Sequence, residues 1–312
     1  MTILGSVTRQ ATDTADASGR PPKIDHKMPF GRWAREVGWR YVVGIAALVF
    51  AAFPIVYVIS ASLNPIGTVA STSIVPQHGF SLVHYRSLLE GSVGPFVQWY
   101  LNTLLVCTVV AGVSIVSSTL AAYAFSRLRF KGRRASLLTV MLIMMFPNVL
   151  AMIAIFTLFS DIGRIIPQIG LSTVLGYCLA MTGGALGQVW LIKGTMDSIP
   201  KSLDEAALID GAGHFTIFSR ILLPILRPII ATTTLLAFVG VVSEFMIGSI
   251  FLTDINSRTL AVGLFNLLEN DRSANFGLFA AGAVMAMIPV ILLFQYLQKF
   301  IVGDATSGAV KG

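Results

Sequence analysis

The sequence predicts an all-α integral membrane protein with six transmembrane helices, on three observations. Its 312 residues are 55% hydrophobic and only 12% charged, whereas a soluble domain carries about 25% charged residues. Long stretches hold no Asp, Glu, Lys or Arg, and basic residues crowd into alternate connecting segments. With a mean hydropathy of +0.78, these features exclude a soluble globular enzyme, a disordered protein and a nucleic-acid-binding domain. The net charge of +7 is the excess expected of basic loops held on the cytoplasmic side of a bilayer.

Taken in order, residues 1–40 are polar and basic, and no apolar core precedes a small-residue cleavage site; they read as a disordered cytoplasmic tail and not a cleaved signal peptide. Residues 41–85, 91–126, 135–160, 165–192 and 273–298 lack charge, and Pro228–Thr253 is interrupted only by Glu244. A crossing helix needs roughly 20 apolar residues, so each run holds one. The expected spans are Tyr41–Leu63, Leu101–Phe125, Leu137–Phe159, Leu171–Ile192, Ile229–Phe251 and Phe276–Gln298, with segments 64–100 and 254–275 outside and 301–312 a cytoplasmic tail. Of the 22 basic residues, eighteen fall in the odd-numbered connecting segments and four in the even ones, which puts both termini in the cytoplasm.

Chemistry is sparse. The four histidines, His26, His78, His84 and His214, read as loop residues, and Cys107 and Cys178 sit in apolar runs, so neither a metal site nor a disulfide scaffold is expected. There is no phosphate-binding Gly-x-x-x-x-Gly-Lys run and no His-Glu-x-x-His pair. Within the spans, Pro54, Pro147, Pro289 and the Gly183, Gly184, Gly187 cluster suit helix kinking and close packing. Pro147-Asn148 also suits a break at a transport pathway. Glu244 is the one ionisable residue deep in a span; it faces a pathway or, as a hydrogen-bonded carboxyl, locks two helices.

Residues 193–228 are too polar to cross and too apolar for a plain loop. Ser202-Leu203-Asp204-Glu205 reads as a capping box, starting a helix over Leu203–Asp210 that stops at Gly211, where a residue without Cβ takes a left-handed cap. After Gly213, Phe215, Phe218, Ile221 and Leu222 share one helical face that ends at Pro224 and Pro228. A DNA-binding helix–turn–helix has the same outline, but six spans pin this segment to the bilayer. The 254–275 segment mixes charges with Leu260, Val262, Leu264 and Phe265; such apolar residues need cover from a partner or from the 64–100 segment.

Glu205-Ala206-Ala207, Gly211, then Ile221, Leu223 and Pro224 resemble the EAA signature of binding-protein-dependent ABC importer permeases at every named position, Asp210 lying within it. Tyr123–Arg127 with Phe130, Met145-Phe146-Pro147, Val189–Gly194, Asp254–Ser257, Thr259–Gly263 and Gly308–Gly312 resemble the maltose-type subfamily. The resemblance implies a type I importer permease fold with a cytoplasmic coupling helix, in a bacterial cell membrane. It implies a second permease subunit, a dimer of cytoplasmic ATPases that binds ATP and Mg, and an external sugar-binding protein. This chain would then be non-catalytic and free of cofactor or metal, carrying maltose, maltodextrin or a related α-glucoside. Glu205, Ala206, Ala207, Asp210, Gly211, Ile221, Leu223 and Pro224 would serve ATPase coupling. Asp254, Asn256, Leu260, Val262 and Gly263 would meet the binding protein, with Glu244 and Asn148 as pathway candidates. The rival reading is a secondary, ion-coupled transporter, although no repeated halves are visible.

Overall fold

The computed structural model describes residue 31, residues 34–76 and residues 79–307, the side chains at 34, 148 and 302–307 excepted. Most of the expected N-terminal tail, the end of the C-terminal tail, His26 and His78 therefore lie outside the described residues. Among the described residues every regular element is helical. The chain divides into two units, residues 1–55 and 56–312. In the first, residues 34–40 are not coil as expected: a π turn at Ala34–Gly38 leads directly into helix α1, Trp39–Leu63.

The second unit continues through α2 (Val83–Leu89), α3 (Phe96–Arg127), α4 (Arg133–Met145), α5 (Asn148–Ile165), α6 (Val174–Thr182) and α7 (Val189–Ser198). It then runs through α8 (Ser202–Ile209), α9 (His214–Ile225), α10 (Arg227–Val242), α11 (Met246–Phe251), α12 (Leu260–Asn270) and α13 (Phe276–Ser307). Helix α3 is the central post, packed on α6, α7, α10 and α12, with α13 against α10.

Only three of the six expected spans are continuous helices of membrane length: 35–63, 96–127 and 276–301. The other three are broken, each for a local reason. At Pro147 the missing N–H and the ring's clash with the preceding turn hold Phe146 and Pro147 in extended conformations, and the chain bends by 98° between α4 and α5. The fourth expected span loosens over 183–188, where Gly183, Gly184, Ala185 and Gly187 each donate to the carbonyl three residues back. Ser118 of α3 donates to the carbonyl of Ala185 across that gap at 2.8 Å, as an interrupted backbone in a dry environment requires. The fifth is interrupted at Ser243-Glu244-Phe245, between α10 and α11. Pro54 and Pro289, by contrast, stay inside unbroken helices.

At the end of α3 remote from Arg127, the 254–275 segment is built into the core. Leu260, Leu264 and Leu267 of α12 pack with Leu88, Phe96, Trp99 and Ala281. Trp99 Nε1 donates to the carbonyl of Ile255 at 2.6 Å, and Asn102 Nδ2 to those of Asn256 and Arg258 at 2.8 and 3.0 Å. Thr103 Oγ1 accepts the Leu260 amide at 2.7 Å and so caps α12 from another helix. Leu260, Val262 and Gly263, expected to meet an outside protein, are buried within this chain. Their apolar character is explained by internal packing, much of it against residues of the 64–100 segment. Only Asp254 and Asn256 of the expected contact set are exposed. His84 is likewise not in a loop: it lies buried in α2, its Nε2 2.8 Å from the Asn64 carbonyl.

A Cβ on Gly263 would lie 2.2 Å from the Trp99 ring, whereas one on Gly194 would meet nothing within 4 Å. Overpacking of a filled core costs about 1–3 kcal/mol. Gly263→Ala should therefore lower the melting temperature of the purified chain by several degrees, while Gly194→Ala, in a helix where glycine is unfavourable, should leave it unchanged or raise it.

Candidate functional site

The candidate site is α8 with the glycine turn after it and the helix ends that hold it. The capping box does not form. Lys201 occupies the cap position with helical angles, no side chain bonds the free amides, and Ser202 is already the first helical residue. Asp204 turns instead toward Arg127, with Nε and Oδ2 2.6 Å apart; the contact is an ion pair by distance and not an aligned hydrogen bond. The carboxylate still lies in the first turn, where the helix dipole favours it. Glu205 is left exposed and pairs with no side chain among the described residues.

The stop at Gly211 is as the sequence predicts. Its φ is +84°, the Ala212 amide donates to the Ala207 carbonyl at 2.9 Å and the Gly211 amide to the Leu208 carbonyl at 3.0 Å. That is the paired pattern of a Schellman cap. In α9 the expected apolar face is shifted. Phe215 is 80% exposed, while Ile217 and Leu222 are buried with Leu226, and Phe218 and Ile221 pack beside them. A π turn over Ile217–Leu222 adds a residue to the helical repeat, so a face counted at α-helical spacing no longer lines up. The bend of 77° into α10 follows at Leu226, with Pro228 in the new first turn, where a missing N–H costs nothing.

What fixes this segment to the spans is a polar joint at the end of α3. The Arg127 side chain is 5% exposed. Besides Asp204, it donates through Nη2 to the Ile199 carbonyl at 2.9 Å and through Nη1 to Ser126 Oγ at 3.2 Å. Ser126 in turn donates to Asp197 Oδ1 at 2.5 Å, and Lys193 reaches Asp197 Oδ2 at 2.5 Å. Burial pushes the Asp197 carboxyl up, but the hydrogen bonds from Lys193 and Ser126 and the charges of Lys193 and Arg127 outweigh it and hold the group below the usual aspartate range. Tyr123, one turn earlier, donates to the His214 carbonyl at 3.2 Å, with His214 Nδ1 at the same distance. Reading the sequence for motifs missed this joint. Its signal is an arginine at the end of a long apolar helix with acids at 197 and 204, but nothing in spacing pairs residues 70 apart.

The coupling residues divide into two sets. Glu205, Ala206, Asp210 and Gly211 are exposed, together with Leu208, Ile209 and Phe215, whereas Ala207 is buried and Ile221, Leu223 and Pro224 are half-buried. One set is a surface; the other anchors it. Glu244 lies apart, in the α10–α11 break. Its Oε1 accepts the Ile247 amide at 2.7 Å and its Oε2 the Gly248 amide at 3.0 Å, and the Tyr177 hydroxyl of α6 donates to it as well. The carboxyl thus starts α11 and locks it to α6, which is the second of the two readings the sequence left open. Asn148 begins α5 at the Pro147 bend, and Cys107 and Cys178 are free and buried.

The structure is thus a helical membrane chain with interrupted spans, at one end of which a short helix presents acidic and apolar residues outward. The chain belongs to the family of binding-protein-dependent transport system inner membrane components, whose pattern matches residues 114–305. It is an ABC importer permease and not an enzyme. It is 38% identical to the maltose/maltodextrin transport system permease protein MalG of Vibrio vulnificus (strain YJ016), over 86% of this chain and 93% of that one. It is 39% identical to the galactooligosaccharides transport system permease protein GanQ of Bacillus subtilis (strain 168), over 85% and 92%. Among solved structures it is similar to a chain of a bacterial ABC transporter that imports alginate, with a TM-score of 0.69, 23% identity and coverage of 88% and 99%. A second chain, from the alginate transporter in complex with its pentasaccharide-bound periplasmic protein, aligns at a TM-score of 0.58 and 17% identity, over 86% and 93%. Nothing in these comparisons supports ion-coupled secondary transport.

Removing one partner of a buried ion pair leaves the other charge uncompensated, at a cost of about 3–5 kcal/mol, whereas replacing both by apolar residues is often neutral. Arg127→Ala should therefore destabilise the chain markedly in thermal unfolding, and Arg127→Met with Asp204→Leu should recover much of the loss. Because the folded-state value of Asp197 is depressed, its contribution is present above the usual aspartate range and disappears as pH falls through the folded value. Stability should be insensitive to this group from pH 7 to 5 and fall in more acid solution, and Asp197→Asn should flatten that acid limb.

Proposed function

We propose that this chain is the permease subunit through which ATP hydrolysis on a separate pair of cytoplasmic ATPase subunits drives import of maltose, maltodextrin or a related α-glucoside. A second permease subunit and an external sugar-binding protein complete the assembly. The observation that carries this reading is the exposed face of α8. Glu205, Leu208 and Ile209, the last 86% exposed, form an acidic–apolar surface on a helix whose opposite side is fixed by Arg127 and Ala207. A signal passes between two sites only through an element that contacts both, and α8 joins its exposed surface to the spans. The sugar is inferred from the maltose permeases, with GanQ the reason to extend it to other oligosaccharides.

The topology goes with this reading. The polypeptide crosses six times, three of them through broken helices, with both termini and the 193–228 segment in the cytoplasm. Asp254 and Asn256, at the exposed tip before α12, are the residues left to meet the binding protein, and Asn148 at the α4–α5 bend remains a pathway candidate. Since both native cysteines are buried, single cysteines at Glu90 and Asn256 should react with an impermeant maleimide in intact cells. One at Ser202 should react only after lysis; external labelling there would refute the topology.

Glu205→Lys reverses the charge on the docking surface without touching the Arg127 joint. Sugar uptake in cells should fall at least tenfold while the chain still inserts, and the ATPase should no longer co-purify or should hydrolyse ATP without transport. Wild-type uptake would show that α8 is not the coupling element. Gly211→Val forces a β-branched residue to a φ of +84°, a cost of about 1–2 kcal/mol, and should also abolish uptake. Gly211→Asn, which tolerates that conformation, should restore much of it.

A further inference from the structure

Residues 127–134, from the last residue of α3 through the first turn of α4, include five basic residues, and only Arg127 is engaged by the joint described above. Arg129, Lys131, Arg133 and Arg134 make no ion pair or side-chain hydrogen bond with any described residue. Arg129, Arg133 and Arg134 line an open cleft of about 530 Å³, with Phe130 and Leu137 as its apolar walls. The cleft lies at the start of α4, where Gly132 holds a φ of +86°, no side chain caps the helix and the first turn contains two arginines and no acid. The positive end of the helix dipole is favourable to anions and unfavourable to cations. Three guanidinium groups around an uncapped helix start, unpaired among the described residues, therefore form a concentrated positive site without a counter-charge from those residues.

The rest of α4 indicates what kind of anion would satisfy it. Beyond the arginines, Leu138, Met141, Leu142 and Met145 are all exposed, so the helix runs from a polycationic end into an apolar stripe. A free phosphate would engage the arginines alone and make no use of Phe130, Leu137 and that stripe, which opens an expected span and so lies beside acyl chains. A phospholipid satisfies both parts: guanidinium groups pair with phosphate oxygens in bidentate fashion, and an acyl chain covers the apolar side. We propose that this cleft binds the headgroup of an anionic phospholipid from the adjoining leaflet, with its phosphodiester among Arg129, Arg133 and Arg134 and one acyl chain along α4. The bound lipid would supply the missing counter-charge beside the Arg127 joint, at the mount of α8.

The test uses the full chain, reconstituted in vesicles of phosphatidylcholine containing phosphatidylglycerol as the anionic probe. After re-extraction and a delipidating wash, retained phosphatidylglycerol per protein is measured by mass spectrometry. One basic side chain near an anionic surface is worth about fivefold in binding. The triple variant Arg129→Gln, Arg133→Gln, Arg134→Gln should lose at least tenfold, and Arg134→Gln alone, at an exposed position, about fivefold. Lys201→Gln with Arg220→Gln and Arg227→Gln removes three exposed charges elsewhere and should retain the lipid. Unchanged retention in both cleft variants would overturn the proposal, as would equal loss in the control triple. So would complete displacement by millimolar inorganic phosphate, which would mark a site for free anions.

Discussion

The arrangement around α8 depends on Arg127. A guanidinium buried at the end of a 32-residue helix has to find compensating charge, and here it finds it in three directions: Asp204 at the start of α8, the Ile199 carbonyl after α7, and Ser126, which passes the connection to Asp197. The end of α7, the turn after it and the start of α8, which also share an apolar cluster with Ala122, Tyr123 and Phe125, are thereby tied to the end of the central helix. Such a joint adds short-range polar contacts, two of them donated hydrogen bonds from the guanidinium, to the apolar packing around it. A movement of α8 relative to α3 would have to break or carry these contacts with it. This is the mechanical property a coupling element requires.

A second constraint works at the opposite end of α3. Trp99, Asn102 and Thr103 each bond to the backbone of the 255–260 segment, and Gly263 is the residue that lets α12 approach the indole face. The segment outside the expected spans is thus bonded to and packed against the span itself. Helix α3 carries a polar clamp at each end, and between them it packs α6, α7 and α10.

The broken spans answer the problem of non-helical backbone within a bilayer in different ways. Glu244 satisfies two amides at the start of α11 and takes the Tyr177 hydroxyl, so an acidic residue in an apolar run serves as a helix start. The glycine-rich gap at 183–188 closes on its own tight turns and on Ser118. The bend at Pro147 has no such side-chain partner among the described residues. An interrupted backbone is tolerated at membrane depth only where protein or a watery cavity surrounds it, which suits the α4–α5 bend to an interface with another subunit or to the transport path.

The sequence by itself determined the class, the helical content, the position of nearly every apolar run and the place where α8 stops. These properties follow from local causes: charge-free length, the charge of the connecting segments, and the freedom of Gly211 to take a positive φ. Glu205, Gly211 and the EAA spacing were legible for the same reason, since they recur at fixed short distances. Only the structure decided which runs stay continuous: Pro54 and Pro147 look alike in sequence, yet α1 runs unbroken through an exposed Pro54 while the chain leaves the helix at Phe146-Pro147. Tertiary structure also turned Asp204 from a cap residue into the partner of Arg127, shifted the buried face of α9 through a π turn, and placed Leu260, Val262 and Gly263 inside the core. For Asp204 and for the α12 segment the competing interaction comes from residues distant in the chain, Arg127 and Trp99 among them, and its strength depends on burial and geometry that no local pattern encodes.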